Sequence, residues 1–109
     1  MKINKPSYYQ YTQIISISKY SPDESLYFWG KVEKYDEKQN ECTFEDFTGK
    51  KKVIIPEEEK SIISNGKIFK VFIKRNLEDI EVVKIVLWDV NWENLKKTSN
   101  IIEKLKTEA

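Results

Sequence analysis

From Leu26 onward the hydrophobic and polar positions alternate with a period of two. Phe28, Gly30 and Val32 share one face and Tyr27, Trp29 and Lys31 the other, because successive side chains of a strand point to opposite sides. With Phe28 and Val32 in a core, Trp29 lies outside. The polar run 36–40 predicts a hairpin loop, beyond which Cys42 and Phe44 point inward and Thr43 and Glu45 outward. Phe47-Thr48-Gly49-Lys50 predicts a tight turn, followed by a third strand over 51–55 with Val53 and Ile55 facing in and Lys52 and Ile54 facing out. Gly30, inside the first strand, marks the place where a strand of a small barrel bends or bulges.

The pattern changes at Pro56. Proline followed by Glu57, Glu58 and Glu59 suits a first helical turn, where carboxylates meet the positive end of the helix dipole. A short helix to about residue 64 is expected, ended by Asn65-Gly66, either of which tolerates the left-handed conformation. A fourth strand over 67–75 sets Phe69, Val71 and Ile73 against Ile68, Lys70, Phe72 and Lys74, and a β-branched run over 80–88 predicts the fifth. Asn91 is a suitable N-cap for a final helix to about residue 107, roughly 25 Å long. At 100° per residue Trp92, Leu95, Ser99, Ile101, Ile102 and Leu105 fall within about half its circumference. Glu93, Lys96, Lys97, Asn100 and Lys104 fall opposite. So wide an arc either caps the barrel alone or leaves part of itself for a partner. At the other end of the chain, Tyr11, Gln13, Ile15 and Ile17 alternate with Thr12, Ile14, Ser16 and Ser18, which predicts an accessory strand or an extended arm before the Ser21-Pro22-Asp23 turn.

A length of 109 residues, 39% hydrophobic and 34% charged, fits one globular domain, divided into an arm (1–24), a barrel (25–90) and a helix (91–109). The six Tyr, five Phe and three Trp exceed what so small a core needs, which leaves rings for a ligand. Cys42 is the only cysteine and histidine is absent, so neither an intrachain disulfide nor a Cys/His zinc site can form. Cys42 reads as a small core residue. The same absence removes Ser/His and Cys/His nucleophile pairs, and three glycines supply no phosphate loop. The chain is therefore expected to be no enzyme, with no metal, cofactor or small-molecule substrate. No apolar run approaches the roughly 18 residues that span a bilayer, so no membrane association is expected and an intracellular location is. Net charge is +1, so any contact with nucleic acid must come from a local patch.

The order of three strands, a helix and two strands matches the OB-fold, a five-stranded Greek-key barrel used in oligonucleotide recognition. Within it Phe28-Trp29-Gly30-Lys31-Val32-Glu33, Phe44-Glu45-Asp46-Phe47-Thr48-Gly49-Lys50 and the trailing DVNWENLKKTSNIIEKL resemble the small and middle subunits of replication protein A, over about residues 26–105. The resemblance implies an all-β fold with helices: a five-stranded OB-fold barrel with a short helix between strands three and four and a C-terminal helix. It implies a subunit of a replication-protein-A-like or telomere-capping-like complex on single-stranded DNA or RNA, cytoplasmic in an archaeon and nuclear in a eukaryote. Other OB-fold subunits would join through the final helix, at Trp92, Leu95, Ile101, Ile102 and Leu105. Single-strand binding needs rings for bases and cations for phosphates. Tyr27 and Trp29 would stack bases, and Lys31, Lys52, Lys74 and Arg75 would contact phosphates, unless Trp29 packs beneath the arm or the helix. Residues 26–56 hold six basic and six acidic residues, whereas Lys67, Lys70, Lys74 and Arg75 form a stretch without an acid. The alternative is an interaction scaffold of a replication, telomere or transcription assembly that does not itself touch nucleic acid.

Overall fold

A computed structural model describes residues 8–88 and 90–108; the first seven residues of the expected arm, Asp89 and Ala109 lie outside the described residues. Six strands, β1 (Gln10–Tyr11), β2 (Ser25–Asp36), β3 (Glu41–Glu45), β4 (Lys50–Ile54), β5 (Ile68–Arg75) and β6 (Ile80–Leu87), precede one α-helix, α1 (Trp92–Glu108). The sheet runs β4-β3-β2-β5-β6 with antiparallel neighbours, and β1 joins β2 in parallel. Among the described residues β4 and β6 lie near each other without a ladder between them. The five long strands and the trailing helix have the order expected of the OB-fold.

The inward rows of the pattern make the core. Leu26, Phe28 and Val32 of β2 meet Cys42 and Phe44 of β3, Val53 of β4, Phe69, Val71 and Ile73 of β5, and Val82 and Ile85 of β6. Each buried side chain of the Leu or Phe kind contributes roughly 1.5–3 kcal/mol relative to leaving it in water. Gly30 sits on this inward row, opposite Phe69. A Cβ there would come within 2.9 Å of the Phe44 Cβ and 3.0 Å of the Phe28 ring, so its missing side chain is the space into which Phe44 packs.

The bulge expected at Gly30 lies farther along. Val32 pairs with Phe44 and Lys34 with Thr43, which leaves Glu33 as an extra residue. That insertion changes the parity of the strand: Tyr35, opposite Cys42, turns toward the core, and Lys34 turns to water. Strand β6 does the same at Val83, since Phe72 pairs with Lys84 and Ile73 with Val82. Hence Val82 and Ile85, three residues apart, are both buried.

Two further sequence expectations change. The arm is not a strand over 11–18: after β1 it forms a 3₁₀ helix, Ile14–Lys19. Ile14 and Ile17 are buried and Ile15 is exposed, because the isoleucines follow a period of three. The segment after Pro56 is also 3₁₀, Glu57–Ile62, with no buried residue to favour further winding. The arm is tied to the barrel by Asp46. One carboxylate oxygen accepts from the Ile14 amide at 2.8 Å, while the other accepts from the Thr48 amide at 2.7 Å, the Thr48 hydroxyl at 2.6 Å and the Gly49 amide at 3.1 Å. The same carboxylate thus shapes the β3–β4 turn and anchors the arm.

Gly30→Ala should cost about 1–3 kcal/mol of stability by overpacking against Phe44; an unchanged denaturant midpoint would show that the row can yield. Asp46→Ala leaves the Ile14 amide without its acceptor and should cost about 2 kcal/mol or more. Hydrogen exchange should then quicken at Ile14, Thr48 and Gly49 before it does in β2.

Candidate functional site

The outward rows form a second surface, set by strand register. Tyr11, Tyr27, Phe72 and Lys84 line up across β1, β2, β5 and β6. Trp29, Lys70 and Val86 form the next row, then Lys31 and Ile68. Rings dominate: Tyr27 lies 5.3 Å from Trp29 and 6.1 Å from Phe72, Tyr11 lies 5.2 Å from Trp29, and Tyr9 meets Phe72 edge-on at 5.0 Å. Among them stands the Lys70 ammonium, 4.3 Å from the Tyr27 ring centroid, 5.2 Å from those of Phe72 and Trp88, and 5.8 Å from that of Trp29.

Helix α1 roofs one side of this surface. Asn91 begins it as expected, its side-chain oxygen accepting from the Glu93 amide at 2.8 Å and the Asn94 amide at 3.3 Å. Leu95 is buried against Tyr11 and Trp29, with Trp92 and Ile102 beside them. Trp92 stacks on Phe47 at 4.3 Å, with the Lys31 ammonium 5.3 Å from its ring centroid. Near the far end, Lys106 donates to the Tyr11 carbonyl and to the Tyr20 hydroxyl, so the helix clasps the arm that lies on β2. Trp29 is consequently only 8% exposed, and its buried indole N–H has no hydrogen-bond partner among the described residues.

The cations nominated by sequence are mostly engaged. Lys52 pairs with Glu41 at 3.6 Å and Lys74 with Asp23 at 3.9 Å. Arg75 donates to the Asn76 and Asp79 carbonyls at 2.9 and 3.0 Å and so closes the β5–β6 turn. Their neighbours Lys50 and Lys51 pair with Glu33 at 2.8 Å and Asp79 at 2.7 Å. Lys70 and Lys84 have no ion pair among the described residues, and sequence reasoning put neither among the site residues. The acid-free run from Lys67 to Arg75 was the trace of Lys70; nothing in the linear pattern placed it among four rings.

Solved structures of the same fold exist at low identity. A chain of the S. pombe Stn1–Ten1 complex matches with a TM-score of 0.71 and 13% identity, over 92% of this chain and 93% of that one. The telomere capping protein Ten1 from S. pombe matches at 0.70 and 14%, over 92% and 99%. The hypothetical protein ygiW from E. coli matches at 0.58 and 14%, over 81% and 99%. No protein-family model and no curated protein matches the sequence.

The helix residues nominated for a partner divide in two. Trp92, Leu95 and Ile102 face the barrel, whereas Ile101 and Leu105 are 60% and 61% exposed. The apolar arc is therefore shared between the barrel and water.

Burial pushes the Tyr11 phenol up to about 12, the charges of Asp46 and Glu103 adding to it and a hydrogen bond with Ser99 offsetting part. Burial also raises Tyr27 and pushes the Cys42 thiol up to about 12. Both Tyr11 and Cys42 stay neutral in the fold and ionise earlier in the unfolded chain, near 10.0 and 9.0. Their contribution is complete below those values and is lost as pH rises toward 12. Unfolding free energy should therefore fall between about pH 9 and 12. Tyr11→Phe should flatten the decline above about pH 10 and Cys42→Ala the part that begins near 9; an identical decline in both variants would place its origin elsewhere.

Proposed function

We propose that this chain is the small OB-fold subunit of a single-stranded nucleic-acid-binding complex of the replication-protein-A or telomere-capping kind, joined through α1 to another OB-fold subunit. The observation that carries the proposal is the divided helix. One row of α1 completes the domain's own packing while Ile101 and Leu105, one turn apart, stand in water beside Lys97 and Lys104. A helix whose only task was to cap the barrel would have polar residues there. The fold likeness to Ten1, described as a telomere capping protein, and to a chain of its complex with Stn1 supports the same reading, since it extends over 92% of this chain. On this proposal the protein is not an enzyme and acts inside the cell.

A second reading, a scaffold with no nucleic-acid contact of its own, is favoured by the ion pairing of Lys50, Lys51, Lys52 and Lys74. Both readings share the helix. Ile101→Asp with Leu105→Asp should abolish co-purification of an OB-fold partner from the native host, with far-UV circular dichroism and thermal midpoint unchanged because both positions are exposed. A complex that survives the double substitution would show that α1 is not the interface. Leu95→Asp, by contrast, should unfold the helix from the barrel and cannot serve as the test.

A further inference from the structure

On the reading that the chain works in a nucleic-acid-binding complex, the remaining question is which face touches the strand. Oligonucleotides on OB-folds commonly lie over the second and third barrel strands, here β3 and β4. That face is poorly suited in this molecule. Its outward lysines, Lys50 and Lys52, are paired with Glu33 and Glu41, and α1 roofs the adjoining Trp29 and Lys31.

The opposite side of β2 has the reverse character. Lys70 is held by ring contacts rather than by a carboxylate. A ring quadrupole attracts a cation without cancelling its charge, whereas an ion pair cancels it. Lys70 therefore has no carboxylate counter-charge among the described residues and is positioned by Tyr27 and Phe72, whose half-buried rings lie beside it on the same face. Lys84 continues the Tyr27 and Phe72 row across β6, is exposed and has no ion pair among the described residues. Rings and cations without carboxylate partners, alternating on the part of the face that α1 does not roof, are what stacked bases and their phosphates require.

We propose that single-stranded nucleic acid crosses the outer face of β2, β5 and β6, stacking a base on Phe72 beside Tyr27 and setting phosphates on Lys70 and Lys84. Tyr9, whose ring meets that of Phe72 edge-on at 5.0 Å, borders this surface.

The test is fluorescence anisotropy at low salt with labelled oligodeoxythymidine and oligouridine, using the full chain alone and with its partner. Lys70→Ala with Lys84→Ala should weaken binding about tenfold or more and reduce the salt slope by roughly 1.4, two single-strand phosphates' worth. Phe72→Leu, which keeps apolar volume and removes the ring, should weaken it about fivefold or more. Lys50→Ala with Lys52→Ala should change it less than about twofold. The two oligonucleotides distinguish DNA from RNA. Greater or equal loss in the Lys50 and Lys52 variant overturns the placement, as does absence of binding to either oligonucleotide by the wild type with its partner. Either failure with the partner still captured through Ile101 and Leu105 leaves the assembly interface standing. Loss of the partner with oligonucleotide binding intact does the reverse.

Discussion

Between Leu26 and Val32, strand β2 has no side that can be left in water. Its inward row makes the core, and its outward row carries Tyr27 and Trp29. An antiparallel sheet with one wet face can stop at a single layer, but an exposed indole cannot be left on it without cost. At about 25 cal/mol per Å2, the 150–250 Å2 of an aromatic side chain corresponds to roughly 4–6 kcal/mol. That surface calls for two further elements, the arm with Tyr11 and the helix with Leu95, and both are placed by it. The second cluster is thus a consequence of the first strand's composition.

Polar contacts fix what the apolar surface only attracts. Asp46 binds the start of the 3₁₀ turn to the β3–β4 hairpin, and Lys106 binds the end of α1 to the same arm at Tyr11 and Tyr20. The arm becomes a middle layer, held from below by a carboxylate and from above by an ammonium. The surface lysines divide along the same lines. Those on β4 are neutralised by acids, and Lys70 on β5 is embraced by rings, so two residues of identical chemistry on adjoining faces present opposite electrostatics.

Much of the barrel was legible because its strands obey one rule. Phe28, Phe44, Val53, Val71 and the cap at Asn91 follow from alternation and from side-chain oxygen chemistry. The accessory strand exists only at Gln10–Tyr11, and the 3₁₀ turn after it was not legible because isoleucine and serine alternate in Ile15 to Ser18 and a period of three is hidden when Ile14, Ile15 and Ile17 are all apolar. The site was less legible for a different reason. Whether Lys52 is available depends on Glu41 across a hairpin, and whether Trp29 is open depends on Leu95, far along the chain on the final helix. Neither relation has a local period. Rings and cations can be counted in a sequence, but their partners are decided by register.

The two inserted residues, Glu33 and Val83, give the chain something like a reading frame. Upstream of each, even-numbered residues face the core; downstream, odd-numbered ones do, so that Tyr35 and Ile85 are inside while Lys34 and Lys84 are outside. A deletion at either point would not remove a contact so much as exchange the two surfaces beyond it, sending a lysine inward and a tyrosine or isoleucine outward. Variation in this fold is therefore constrained in phase as well as in composition: side chains on these strands can change one at a time, but length can change only in the loops.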